Sequence, residues 1–199
     1  MIQLTTNIML AGVGGQGLVI MTDIICEAAM KDGYDVKSND VIGLSQRGGM
    51  VWGNVKIGKK VYSPNIKPKD GDILLGMEPL ETYRWNTILK DSATIIMNSK
   101  RFDPIPVQQE KKDYPIKEIK RLKDKYNTTE INAFDEGVKL GKKQVANVIL
   151  IGILARHLEK LDLTPINIDT WKEAISENVP KKAIDMNMKA FDLGYNYKN

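Results

Sequence analysis

One cysteine and one histidine among 199 residues leave little material for several kinds of chemistry. Cys26 forms no internal disulfide and cannot supply the four thiolates an iron–sulfur cluster normally requires, so any redox metal must belong to a partner. With His157 the sole imidazole, a histidine-based zinc site or a Ser-His-Asp triad has almost nothing to work with. No apolar run approaches the roughly 20 residues of a membrane span. The N-terminal MIQLTTNIML lacks the basic start and small-residue cleavage site of a signal peptide. A cytoplasmic chain without a membrane partner is therefore expected. Charge of one sign is also scarce: 29 basic against 25 acidic side chains give a net +4. That excess suits an anionic small molecule or an acidic partner and is too weak to argue for nucleic acid.

Hydrophobic residues make up 42% of the chain, enough for the core of one domain spanning 1–199. NIMLAG (7–12) reads as a strand buried on both faces, and Leu18, Met21, Ile25, Ala28 and Ala29 recur at helical spacing after it. Tyr34-Asp35-Val36-Lys37 reads as a second strand, followed by a polar, glycine-rich loop from Ser38 to Gly49. MVWGNVKIG and KKVYS alternate as two strands of an antiparallel hairpin turning at Gly58-Lys59. DILLGM and ATIIMN are again short buried strands, separated by a helix that starts near Pro79. KEIKRLKDKY and VANVILIGILARHLEKL are helices, Asp169 is placed to cap another, and Pro180 opens the last. The fold class is α/β: a mostly parallel, open, Rossmann-like sheet with an inserted β-hairpin and C-terminal helices over about 144–197 packing on it.

Gly12, Gly14 and Gly17 in AGVGGQG (11–17) satisfy G-x-G-x-x-G between a strand and a helix, with Gly15 and Gln16 inside the loop. Such a turn lets backbone approach a phosphate while the helix dipole faces the anion. A dinucleotide site also wants an acid at the end of the second strand. That strand reads Asp35-Val36-Lys37-Ser38, with Asp40 in the following loop, which counts against an ordinary NAD-dependent dehydrogenase. Gln46, Arg47, Gly48 and Gly49 set a forked guanidinium beside two flexible amides, a second anion-seeking loop at the same sheet edge. Glu78 and Asn98 end predicted strands and read foremost as structural polar groups. Trp52, Tyr62 and Trp85 fit either packing or a partner contact.

AGVGGQG, GLSQRGG, the VYSP segment, DILLGMEPLE, Asn147 within ANVILIG, and VPKKAIDMNMKAFDLG together resemble one family across nearly the whole chain. It is the gamma-type subunit or domain of the 2-oxoacid:ferredoxin oxidoreductases, and the QRGG form is most similar to the beta subunit of indolepyruvate:ferredoxin oxidoreductase. The resemblance implies a noncatalytic subunit of an enzyme that decarboxylates a 2-oxoacid and releases an acyl-coenzyme A. Thiamine diphosphate, magnesium and [4Fe-4S] clusters would sit on a companion subunit, with ferredoxin reached through the complex. No cofactor is then held firmly by this chain, but a coenzyme A contact at Gly14–Gly17 and Arg47 is implied. A hetero-oligomer is expected, with a homodimer as the alternative for the isolated chain. The competing functions are an autonomous oxidoreductase with a nucleotide cofactor and a free-standing ligand-binding module.

Overall fold

The first strand, β1 (Thr5–Val13), has Ile8, Met9, Leu10 and Ala11 fully buried, so both of its faces need cover. In the computed structural model, which describes residues 5–42, 49–103, 108–109 and 112–198, that cover is a helical layer on each side. Side chains alternate across a strand, and the alternation here divides the core in two. Ile8 and Leu10 join Ile73, Leu75 and Ile96 under one layer, whereas Met9 and Ala11 join Leu74, Ile95 and Met97 under the other. The elements after β1 are α1 (Leu18–Lys31), β2 (Asp35–Ile42), β3 (Met50–Gly58), β4 (Gly71–Gly76) and α2 (Pro79–Arg84). Then come β5 (Leu89–Asn98), α3 (Ile116–Lys125), β6 (Asn127–Ile131) and α4 (Ala133–Lys139). Three helices close the chain: α5 (Ala146–Lys160), α6 (Ile168–Asn178) and α7 (Ile184–Tyr195).

The six-stranded sheet runs β2-β3-β1-β4-β5-β6, and only β3 opposes its neighbours. It is mixed α/β with a mostly parallel sheet. From β1 the chain moves outward in one direction through α1, and from β4 outward in the other through α2. The carboxyl ends of β1 and β4 therefore form the topological switch point, where open α/β sheets leave a crevice. Helices α1, α5, α6 and α7 form one layer, and α2 with α3 the other. Helices α5 and α7 lie side by side and parallel, their backbones in contact. A Cβ on Gly152 would meet the Phe191 carbonyl oxygen and the Tyr195 nitrogen, and one on Gly194 would meet the Ile149 carbonyl. Farther along, Arg156 Nη1 donates to the Tyr195 carbonyl at 3.1 Å. Among the described residues no helix is long and apolar enough to cross a membrane.

Four expectations need correction. The antiparallel hairpin is β2 with β3, not two strands meeting at Gly58-Lys59. Residues 59–70 form no strand, because Pro64 and Pro68 supply no ladder donor and the Val61 amide is taken by Asp35 Oδ2 at 2.8 Å. The polar stretch from Ser38 onward is not all loop: β2 continues to Ile42 and carries Asp40 inside it. As the sheet's edge strand it tolerates polar side chains. β6 and α4, unsuspected from the pattern, occupy the opposite edge and the connection beyond it. Asn167 caps α6 by accepting from the Asp169 amide, so Asp169 is in the first turn and is not the cap.

Candidate functional site

Between β1 and α1 the chain reverses through Gly14–Gly17, and two of these glycines adopt left-handed backbone, Gly15 at φ 95° and Gly17 at φ 81°. Gly17 is the N-cap of α1 and offers no side-chain acceptor to the first turn. Gly12 is glycine for space: a Cβ there would lie 2.8 Å from Gln16 Oε1 and 3.0 Å from the Met77 Cβ. Gln16 braces the turn. Its Oε1 accepts from the Val13 amide at 2.7 Å, and its Nε2 donates to the Met77 carbonyl at 3.2 Å, tying the ends of β1 and β4. The Met77 carbonyl also accepts from buried Asn98 Nδ2 at 3.1 Å, so Asn98 is a structural strut.

The Gly14 amide donates to the Gly49 carbonyl at 2.8 Å, at the start of β3. Gly14 is thereby committed to the turn and its amide is withdrawn from any ligand. A Cβ on Gly15 meets nothing within 4 Å, so within the chain itself that position needs glycine for its backbone angle. The amides of Gly15, Gly17 and Leu18 find no acceptor among the described residues. Gln46, Arg47 and Gly48 lie outside the described residues; Gly49 is the one member of the second loop that is described.

The loop opens into a cavity of about 560 Å³ whose far wall includes Met77, Phe102, Phe134, Lys143 and Asn147. Phe102 and Phe134 pack edge to face at 5.6 Å, and Lys143 and Lys100 stand 5.5 and 5.9 Å from the Phe134 ring centre. An aromatic wall flanked by ammonium groups, facing free amides and a helix N-terminus, suits a ligand with both a ring and a phosphate. Sequence reasoning missed Phe102, Phe134 and Lys143, which come from the loop after β5, from α4 and from the turn before α5. No local motif marks them; only the strand order brings them together.

Glu78 positions part of this wall. Fully buried at the end of β4, it caps α2 by accepting from the Glu81 amide at 2.9 Å. Its Oε1 accepts from the Tyr114 hydroxyl at 2.5 Å and the Phe102 amide at 3.3 Å. Burial, then the adjacent Glu78 carboxylate, drives the Tyr114 phenol well above its usual range. Glu81 is itself buried, and loss of water raises its carboxyl to about 6 despite the nearby Arg84. Neither Cys26 nor His157 enters the cavity. Burial raises the Cys26 thiol and lowers His157, whose Nε2 sits 3.0 Å from Thr129 Oγ1. Trp52 and Trp85 pack on each other at 4.7 Å, whereas Tyr62 stands 83% exposed.

A dinucleotide would also need an acid near the ribose. Asp40 is the candidate in β2, but Thr22 Oγ1 of α1 donates to it at 2.8 Å. Because β3 separates β1 from β2, the end of β2 also lies two strand spacings away, roughly 10 Å. The glycine loop thus has the turn and helix start that a nucleotide site uses but no acid placed for a ribose.

Comparison with known proteins places this architecture. The family model described as pyruvate ferredoxin/flavodoxin oxidoreductase matches residues 7–197. The indolepyruvate oxidoreductase subunit IorB of Pyrococcus horikoshii is 36% identical over 192 residues, covering 94% of this chain and 93% of that protein. The gamma subunit of a keto/oxoacid ferredoxin oxidoreductase from Geobacter sulfurreducens shares the fold with TM-score 0.70 at 22% identity, covering 96% of each chain. A 2-oxoglutarate:ferredoxin oxidoreductase from Magnetococcus marinus, solved with 2-oxoglutarate, coenzyme A and succinyl-CoA bound, matches with TM-score 0.73 at 20% identity. That match covers 97% of this chain and 31% of the Magnetococcus chain. With its motifs, strand order and nearly full-length match in agreement, this chain belongs to the pyruvate ferredoxin/flavodoxin oxidoreductase family.

Proposed function

We propose that this chain is the noncatalytic subunit of a thiamine diphosphate-dependent 2-oxoacid:ferredoxin oxidoreductase that converts indolepyruvate or a related aryl pyruvate to an acyl-coenzyme A. The companion subunit carries the thiamine diphosphate, magnesium and [4Fe-4S] clusters, and ferredoxin docks through the complex in the cytoplasm. The relative from Pyrococcus horikoshii, an indolepyruvate oxidoreductase subunit by name, supports the choice of substrate.

The observation that carries this reading is the cavity at the switch point, lined by Gly15 and Gly17, whose amides find no acceptor among the described residues, together with Phe134 and Lys143. These groups fit the diphosphate and ring of coenzyme A. Bound there, coenzyme A supplies the thiol that accepts the acyl group. The part played by this chain is binding and orientation. The amides and the α1 dipole hold the diphosphate, Lys143 balances its charge, and Arg47 in the second loop adds a forked donor. Gln16 and Glu78 keep the turn and the Phe102 wall at fixed spacing.

The test is reconstitution with the companion subunit. The isolated chain should be colourless, hold no stoichiometric iron and reduce no viologen dye with any 2-oxoacid; turnover by this chain alone would overturn the subunit reading. In the assembled enzyme, Arg47→Ala should raise the coenzyme A requirement or loosen the complex while the isolated chain melts as before. Unchanged assembly, coenzyme A dependence and turnover would reduce the second loop to a connection.

A further inference from the structure

Helix α5 opens with one polar side chain in an otherwise apolar stretch. From Ala146 to Ala155 every residue is buried, and Asn147 alone carries a side chain that forms hydrogen bonds. At 7% exposure its carboxamide has lost most of its water, so each end needs a partner. Asn147 Oδ1 has one. It accepts from the Val148 amide at 2.8 Å in the first turn of α5, a helix whose N-cap, Val145, offers no side-chain acceptor. That bond also fixes which end of the carboxamide is which, since only the oxygen can accept from an amide. The other end is the donor, and Nδ2 finds no acceptor among the described residues.

Gly17 shows where that donor is aimed. A Cβ built on this glycine would lie 2.9 Å from Asn147 Nδ2 and would otherwise meet only Cγ of the same carboxamide within 4 Å. Gly17 and Asn147 both line the glycine-loop cavity, and Gly17 is the N-cap of α1. The NH2 group accordingly stands beside the start of a 14-residue helix, where the dipole favours negative charge. A structural role alone does not account for asparagine at this position. Serine or aspartate would accept from the Val148 amide as well. What asparagine adds is a donor, and the described protein leaves it unused.

We infer that Asn147 is a ligand-binding residue of the glycine-loop cavity, its Nδ2 donating to a phosphate oxygen received at the start of α1. This rests on the coenzyme A reading above and adds to it a side-chain donor from α5. The glycine turn and α5 then hold one anion between them, the turn through main-chain amides and α5 through a carboxamide anchored on the Val148 amide. Being a donor without charge, the NH2 group selects for acceptor oxygens and leaves long-range attraction to Lys143 in the same wall. Glycine at position 17 keeps the space beside Nδ2 clear, because any side chain there would stand against it.

The experiment uses the full chain with coenzyme A and inorganic pyrophosphate as probes. Asn147→Asp keeps the shape of the side chain and the acceptor for Val148 but exchanges the NH2 donor for a carboxylate oxygen. By calorimetry it should bind both probes about tenfold to hundredfold more weakly than wild type, the factor for a lost hydrogen bond to a charged group. Its melting temperature should not fall, since helix starts favour a carboxylate. In proton–nitrogen NMR spectra of the wild-type chain, the Asn147 NH2 pair, assigned through its own backbone, should shift as a probe is added and saturate with it. That readout decides the matter even if Asn147→Asp melts early. Unchanged affinity in Asn147→Asp, or an NH2 pair that stays in place while a probe binds, overturns the role of Asn147 and leaves the coenzyme A reading intact. Binding of pyrophosphate but not coenzyme A, with the NH2 pair shifting, keeps Asn147 as a phosphate donor and overturns the coenzyme A reading instead. Failure of wild type to bind either probe overturns both.

Discussion

Two glycines in the same turn should fail for different reasons when given a methyl group. At Gly15 the φ of 95° puts any L-residue in a costly region, but the space beside it is empty. Gly15→Ala therefore bears the backbone term of ~1–2 kcal/mol, offset by ~0.4–1 kcal/mol because alanine restricts the unfolded chain. The net loss is ~1 kcal/mol. At Gly17 the φ of 81° brings a similar term, and a Cβ would also lie 2.9 Å from Asn147 Nδ2. Moving Asn147 breaks the bond from the Val148 amide to its Oδ1, so the overpacking adds ~1–3 kcal/mol. In a chain of 199 residues each kcal/mol shifts Tm by ~2–4 °C. Thermal unfolding by circular dichroism should place Gly15→Ala ~2–4 °C below wild type and Gly17→Ala ~6–12 °C below. In an Asn147→Ala background the second drop should shrink to the size of the first. If Gly15→Ala is the more damaging, or if removing Asn147 brings no relief, the separation of backbone strain from crowding is wrong.

The buried Glu81 carboxyl, raised to about 6 from 4.5, binds its proton more tightly in the folded chain, so stability should fall as pH rises between those values and level off above. Urea titrations at a series of pH values should show that slope in wild type and a flatter one in Glu81→Gln. NAD and NADP should bind weakly, because β3 holds the second parallel strand away from the loop; micromolar binding by calorimetry would revive an autonomous dinucleotide enzyme. Gly194→Ala should cost ~1–3 kcal/mol in urea unfolding despite alanine's better helix propensity, since its methyl would press on the Ile149 carbonyl; an unchanged midpoint would mean that α7 can shift.

Buried strands were legible because burial imposes composition. β1, β4 and β5 read as apolar runs since both faces are covered, and the switch-point turn followed from the spacing of Gly12, Gly14 and Gly17. The edges were not legible. β2 and β6 are the outermost strands, and NTTEI or Ser38-Asn39-Asp40 looks like loop when one long side of the strand lacks a neighbour. The same asymmetry affected the site. Its backbone half lies in one contiguous heptapeptide and could be found by pattern. Its side-chain half, Phe102, Phe134, Lys143 and Asn147, spans more than forty residues of sequence and converges only once β4, β5 and β6 are laid in order.

The contact of α5 with α7 through Gly152 and Gly194 is made by main chain, which has no rotamers to exchange. Two helices seated on side chains can slide as those side chains repack, but two seated on carbonyls and amides move apart only by losing the contact outright. The middle of α5 and the last turn of α7 are consequently held at one separation by backbone alone, and a side chain added at either glycine is read directly as a change in that spacing.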